Sequence, residues 1–490
     1  MKKLTAIVLT AALTGFSAGL FAHDIEAWNS AIPDQPDHVL LRGATVWTAG
    51  DDGILEQTDV LLRRGKIHRV GKDLKAPRGA VEIDASGRHI TPGLIDAHSH
   101  AAVVGGVNEA TLISTAMVGI EDVIDADSIH IYRQMAGGLT TMQVMHGSAN
   151  AIGGRNIILK LRWGADPEGL KVDGQPGVIK FALGENPKQS NWGGAGGRYP
   201  DTRPGVAQII DEKFQQAEQY RRDRDNAQGT VPHRRDIEME VLLGILDGDI
   251  HVHSHGYRAD EMLELMRIAE RHDFRIQTLQ HVLEGYKIAD EMAEHGAGGS
   301  SFSDWWAYKY EVFDAIPYNG AIMHNRGVLT SFSSDDAELA RRMNLEAAKA
   351  VRYGGLDEHE ALKLVTANPA AQLDLADRIG RVAEGLDADV VLWSGHPLKS
   401  SSRVDQTWID GRLYFDRQRD LEQREAWEAE RRRLIELARA GDGGDDNSGG
   451  EDEEEAENAG AEDEASVSDP DERRRGELVM RRLLGQGASS

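Results

Sequence analysis

The residues with chemistry in them are histidines, a lysine and aspartates placed at the ends of short apolar runs. Residues 249–256 read DIHVHSHG, with His251, His253 and His255 at every second position. An extended chain turns successive side chains to opposite faces, so these imidazoles share a face at roughly 6.5–7 Å spacing. PGLIDAHSH, Pro92 to His100, runs an apolar strand into His98 and His100. Two imidazoles at such an end, where the chain bends away, can converge on one cation. RIQTLQH ends in His281, and VLTSFSSDD ends in Asp335 and Asp336. No single strand-end histidine specifies a site, but four such ends in consistent order predict a metal centre. Imidazole and carboxylate donors suit a divalent ion, Zn²⁺ first, with Mn²⁺ and Fe²⁺ open.

VIKFALGEN places Lys180 inside an apolar strand, with Glu185 just past its end. A lysine there is costly unless paired or neutral. It is either a salt-bridged or snorkelling lysine, or one carboxylated by CO₂ to an anionic carbamate that bridges two ions. Glu185 is the rival bridge. The loop GSANAIGG (147–154) is a turn or a substrate-contacting loop. Arg198 and Arg203 are candidates to hold a substrate carboxylate. Trp305 and Trp306 read as packing.

The elements that must position these residues follow from periodicity. Between Thr91 and about Asp377, short apolar strands alternate with helical stretches, the pattern of parallel βα units. Strands are expected at LIDAHSH, TTMQVMH, VIKFAL, DIHVHSH, RIQTLQH, GSSFSD and VLTSFSSD, with IILKLRW as an eighth strand or an inserted hairpin. Helices are expected at 203–226, 234–246, 259–271, 286–294 and 337–350. The expected fold class is α/β, a TIM (β/α)₈ barrel over 91–377, whose strand C-termini carry the site. Hairpin-type β signals occupy 37–90 and return over 378–416, so a small composite β domain built from both ends is expected. A charged helix is expected at 417–440.

Composition bounds the rest. The chain has 490 residues and a net charge of −26. An acidic body lacks the basic face that nucleic-acid binding needs. With no cysteine, disulfides and thiolate metal sites are excluded. Residues 1–22 carry Lys2 and Lys3 before an apolar run, the pattern of a secretory signal. An exported, periplasmic protein without stable membrane insertion is expected. Residues 441–490 hold 16 Asp/Glu against 5 Arg, an acidic tail expected to be disordered. A small-molecule substrate is the expected partner; a homo-oligomer is left open.

PGLIDAHSH, HVHSH, His281, Asp335 and the closing RIGRVAEGLDADVVLWSGHPL resemble the amidohydrolase superfamily over about Val39 to Phe415. MHGSANAIGGRNIILKLR, KFALGENPK, MNLEAAKAVRYGG and LVTANPAAQL resemble its imidazolonepropionase-like branch. The resemblance implies a metal-binding barrel, with His98 and His100 as ligands on the first strand and His281 on the sixth. Asp335 on the eighth would bind metal and take a proton from the attacking water. Aligning HSHG to the fifth-strand group makes His253 the ligand and puts His255 either behind the ligands, supporting them, or beside substrate. Lys180 matches the carboxylated lysine of dinuclear members. His255–Gly256 stands where imidazolonepropionases and many deaminases have Asp-Glu, a departure that weighs against both. The implied activity is hydrolysis of a C–N bond in an amide, cyclic amide or peptide-like substrate, with one or two divalent ions per chain. The alternatives are a lactonase or deaminase on the same site, or a non-catalytic metal-binding protein.

Overall fold

The computed structural model describes residues 32–188, 198–227, 233–305 and 308–442. The leader expected at 1–22 and the acidic tail beyond Asp442 lie outside the described residues.

The chain first makes β1 (His38–Trp47), β2 (Ile54–Arg63), β3 (Lys66–Gly71), β4 (Val81–Asp84) and β5 (His89–Pro92). Arg64 and Gly65, both at positive φ (47° and 81°), form the two-residue turn whose twist matches the flanking strands. Arg63 accordingly pairs with Lys66. The strands that carry the chemistry follow: β6 (Leu94–Ser99), β7 (Leu139–Val144), β8 (Ile152–Arg155), β9 (Ile157–Lys160), β10 (Gly177–Ala182), β11 (Ile250–Gly256), β12 (Ile276–His281), β13 (Gly298–Ser301) and β14 (Thr330–Phe332). The chain closes with β15 (Val390–Trp393), β16 (Val404–Ile409) and β17 (Arg412–Asp416), then a helix over Arg417–Asp442.

Strands from both chain ends share one sheet in the order β17-β16-β15-β5-β1-β2-β3, with β4 on β1. The join is β15 against β5, antiparallel, from Val390–Pro92 to Trp393–His89. Its apolar face mixes Val39, Leu41 and Ile90 with Val390, Leu392 and Trp408 in one buried cluster. Burying each such side chain contributes roughly 1.5–3 kcal/mol, so each end supplies the core that the other lacks.

The strands β6 to β14 do not form the closed barrel expected from parallel βα units. Among the described residues they make two ladders, β14-β13-β12-β11-β10-β8 and β6-β7-β9. The residues from Ile152 to Lys160 account for one break. β8 pairs antiparallel with β10, and β9 pairs antiparallel with β7. One antiparallel stretch therefore stands where an eighth parallel strand or an inserted hairpin was expected, and IILKLRW is its second half. At the other break, β14 and β6 meet without a ladder. The Phe332 N–H donates to Leu364 O (2.8 Å) and the Ile95 N–H to Val365 O (2.9 Å), so residues 364 and 365 occupy the strand edges. Asp335 N–H donates to His98 O (3.1 Å).

Helices pack outside β10 to β13. Ala259–Arg271 buries Met262, Leu265, Met266 and Ala269, a 3.6-residue stripe. Its cluster includes Ile276 and Leu279 of β12. The opposite faces of these strands are left to polar side chains. Gly93, between β5 and β6, has no room for a Cβ: one built there would run into the Thr140 side chain on β7.

Candidate metal centre

His98 ends β6 on the polar face, fully buried; His100 follows just beyond, partly open. Their Nε2 atoms lie 3.3 Å apart. Asp335 Oδ1 lies 3.4 Å from His98 Nε2 and 3.3 Å from His100 Nε2. One donor atom from each of the three falls within 4.8 Å of the others, the spacing of a metal-binding cluster. Lys180 comes from the middle of β10, its Nζ 3.1 Å from His98 Nε2. His281, at the end of β12, sets its ring 4.6 Å from that of His98, centroid to centroid, and 4.5 Å from that of His255. His281 and Asp335 sit at φ +67° and +50°, backbone that L-residues seldom adopt. That turn aims both side chains inward where their strands end.

Sequence separation did not reveal how the second coordination layer would be built. His98 Nδ1 meets Gln280 Oε1 (3.1 Å), while Gln280 Nε2 meets His253 Nδ1 (3.1 Å). Gln280 thus holds two rings from different strands. Its signal was available as Thr278 and Gln280, two polar residues at strand spacing in an apolar run. His100 Nδ1 meets Met145 O (2.9 Å).

The three same-face histidines separate by depth. His253 pairs across the ladder with Lys180 and is fully buried. His255 packs against His281 and, edge-on, against Tyr257 at 4.6 Å. His251 lies farthest from the cluster: its side chain is 25% exposed and faces Asp374 at 3.8 Å. Glu185 does not reach the cluster; its carboxylate lies 3.5 Å from Lys309 Nζ. Arg198 is spent on backbone, donating to Ala110, Leu112, Ala149 and Pro187 carbonyls at 2.7 Å. Arg203 is held by Glu261 and Glu311, both at 2.6 Å. Neither is free for a substrate carboxylate. Trp305 stacks on Phe302 at 4.5 Å, as packing; Trp306 lies outside the described residues. Asn150 of the glycine-rich loop donates to Glu109 O and Leu112 O, which braces that loop. Tyr257, unremarked in the sequence, stacks on His281 at 5.2 Å, and its hydroxyl pairs with Tyr308 at 2.8 Å.

Electrostatics favours uncharged nitrogen donors here. Burial first, then Lys180, holds His100 down to about 3. Burial, then His251 and Lys180, does the same to His253, also to about 3. His98, His255 and His281 are pushed well below the ordinary range, burial again leading. Burial likewise pulls the Lys180 ammonium down against the attraction of Asp335. It pushes the Asp335 carboxyl up against the attraction of Lys180, although 23% of the Asp335 side chain reaches solvent. His253 Nε2, both ring nitrogens of His255 and His281 Nδ1 are buried without a hydrogen-bond partner. Buried polar atoms are normally satisfied. Several orphaned imidazole nitrogens around a carboxylate fit a divalent cation.

An α/β fold with this cluster at the ends of its strands presents a candidate metal-binding site. Residues 319–414 match the amidohydrolase family. The crystal structure of an amidohydrolase from Thermotoga maritima is 33% identical, with a TM-score of 0.71; the match covers 77% of this chain and all of that one. The protein belongs to the amidohydrolase family and is a hydrolase acting on C–N bonds. Amidohydrolase tasK of Hapsidospora irregularis is 30% identical over 77% of this chain, and the chain spans 43% of that protein's length. An imidazolonepropionase of Thermoplasma acidophilum is 23% identical over 70% of this chain and 84% of its own.

Proposed function

We propose that the protein hydrolyses a cyclic amide or a peptide-like amide, with Asp335 as the group that moves the proton. Water adds its oxygen to the carbonyl carbon, the C–N bond breaks, and the products are a carboxylate and an amine. A carboxyl pushed up by burial is suited to accept the proton of the attacking water and return it to the leaving nitrogen. His98, His100, His253, His281 and Asp335 would hold one or two divalent ions, Zn²⁺ by donor type. Such an ion supplies Lewis acidity toward the carbonyl and water. Lys180, drawn toward its neutral amine by burial, is in the form that could add CO₂ with release of a proton, and the resulting carbamate would supply a further anionic ligand. His255, beside Tyr257, meets substrate. The observation that carries this reading is the convergence of Asp335 on His98 and His100, ringed by imidazole nitrogens without partners.

The imidazolonepropionase relative supports a cyclic amide. His255–Gly256 in place of Asp-Glu weighs against a deaminase and equally against an imidazolonepropionase proper. Purified protein offered lactams, dipeptides, lactones and aminopyrimidines separates the readings by product. Turnover of lactones or aminopyrimidines alone overturns the amide reading, and a preparation with no divalent ion overturns the metal centre. Export is part of the proposal, and recovery of the protein in the periplasmic fraction tests it.

A further inference from the structure

Away from the metal centre, a cavity of about 650 Å³ opens between the helix Ile129–Met135, the segment after Asp335, the loop 399–403 and the start of the C-terminal helix. Its floor includes Tyr132, Trp393 and Phe415. Its walls carry seven cations and two carboxylates, in a chain of net charge −26. Arg133 and Arg341 are shared by Glu338, and Arg424 lies 3.3 Å from Asp420. Arg342, Lys399 and Arg403 are exposed and pair with no carboxylate among the described residues. Arg417 turns its Nε to Val404 O (2.6 Å). Like charges this close repel unless an anion joins them.

The Arg417–Asp442 helix is anchored at this cavity: the Tyr132 hydroxyl donates to Asp420 (2.7 Å), and the Tyr132 ring meets Trp427 at 6.4 Å. From Arg424 to Asp442 the helix runs 18 residues, about 27 Å at 1.5 Å per residue. The next acidic run is EDEEE, Glu451 to Glu455. It lies nine to thirteen residues past Asp442, within an extended reach of about 30–45 Å. That is enough chain to return to the cavity, and a tether of this length holds the run at a local concentration on the order of millimolar.

We propose that the basic cavity is the docking site for the chain's own acidic segment Glu451–Glu455. The carboxylates take the place of the missing partners of Arg342, Lys399 and Arg403. Contacts of this kind are screened by salt, with a Debye length of about 10 Å at 0.1 M.

The natural chain has no cysteine, so a Ser400→Cys/Ala456→Cys protein can be spin-labelled at the cavity rim and in the acidic segment only. At low salt, the full-length protein should show one short, narrow interlabel distance that broadens at 1 M NaCl and on adding Arg342→Glu/Arg403→Glu. A broad distribution at low salt overturns the proposal, as does a narrow one that survives the charge reversals. A second measurement uses inorganic pyrophosphate as a competing anion. A full-length chain with Glu451→Gln, Asp452→Asn, Glu453→Gln, Glu454→Gln and Glu455→Gln should bind it about ten-fold or more tighter than the natural chain. Equal affinity means that the cavity serves an outside anion and overturns the docking. The tail substitutions lie outside the described residues and change none of the cavity's side chains, so they decide the matter if the double reversal fails to fold.

Discussion

Replacing Lys160 with methionine tests how the sheet shared by both chain ends is locked to the strands that carry the metal centre. Lys160 ends β9 with its side chain wholly buried. Its Nζ lies 2.7 Å from Asp387 Oδ2, 3.0 Å from Asp389 Oδ2 and 2.5 Å from Asp410 Oδ1. The carboxylates do not depend on it equally. Asp410 also meets Arg162 at 2.7 Å, and Asp387 meets Lys66 at 2.5 Å. Asp389, 3% exposed, has only Lys160 as an ion-pair partner among the described residues. Removing one member of a buried ion pair costs about 3–5 kcal/mol, and because a single carboxylate is stranded, the lower end, about 3 kcal/mol, is expected. Methionine keeps the volume, so the loss is electrostatic. Burial already pushes Asp389 up to about 6, against the pull of Lys160, while an unfolded Asp titrates near about 3.9. A carboxyl raised on folding binds more protons when folded, so its destabilising effect grows as pH rises through about 4–6 and fades as pH falls. Without Lys160 it rises further. Urea unfolding, followed by the fluorescence of buried Trp393 and Trp408, should show a deficit of about 3 kcal/mol at pH 7.5 that shrinks at pH 5. Adding Asp389→Leu should restore much of the loss. A deficit under about 1 kcal/mol at pH 7.5, or one that widens at pH 5, would refute the account.

Asp335→Asn should lower kcat by about 10²–10⁴ while metal content stays near that of the parent; unchanged turnover removes it as the proton carrier. Lys180→Ala should drop bound metal from two ions toward one by elemental analysis, and an unaltered stoichiometry excludes a lysine-derived bridge. His253→Ala should lose metal, whereas His255→Ala should keep it and lose turnover; the reverse result would make His255, whose ring packs on His281, the ligand. A chelator should abolish turnover and lower Tm, since a ligand bound to the folded state alone stabilises it; an unmoved Tm argues against an ion at these residues.

Much of this protein is legible from local pattern, because periodicity and chain reversal are properties of neighbouring residues. The run of strands from LIDAHSH to VLTSFSSD, the helix over Ala259–Arg271 and the strand-end placement of His98, His281 and Asp335 all follow from period-2 and period-3.6 spacing. The shared face of His251, His253 and His255 follows as well. Depth along that face does not, because it depends on how β11 registers against β10 and β12. The register sets His253 opposite Lys180, brings His255 to His281 and leaves a quarter of the His251 side chain in solvent. The antiparallel course of residues 152–160 was likewise hidden, since an apolar stretch reads the same in either direction. Lys160 looked like any lysine in IILKLRW, yet its three carboxylates come from more than 220 residues away. Arg198 and Arg203 looked available for substrate until folding turned them onto backbone carbonyls and buried glutamates. Which residue types could act, and on which face, is written in the spacing of neighbours. Which of them converge, and which charges are already neutralised, is set by contacts between strands and chain ends far apart in sequence.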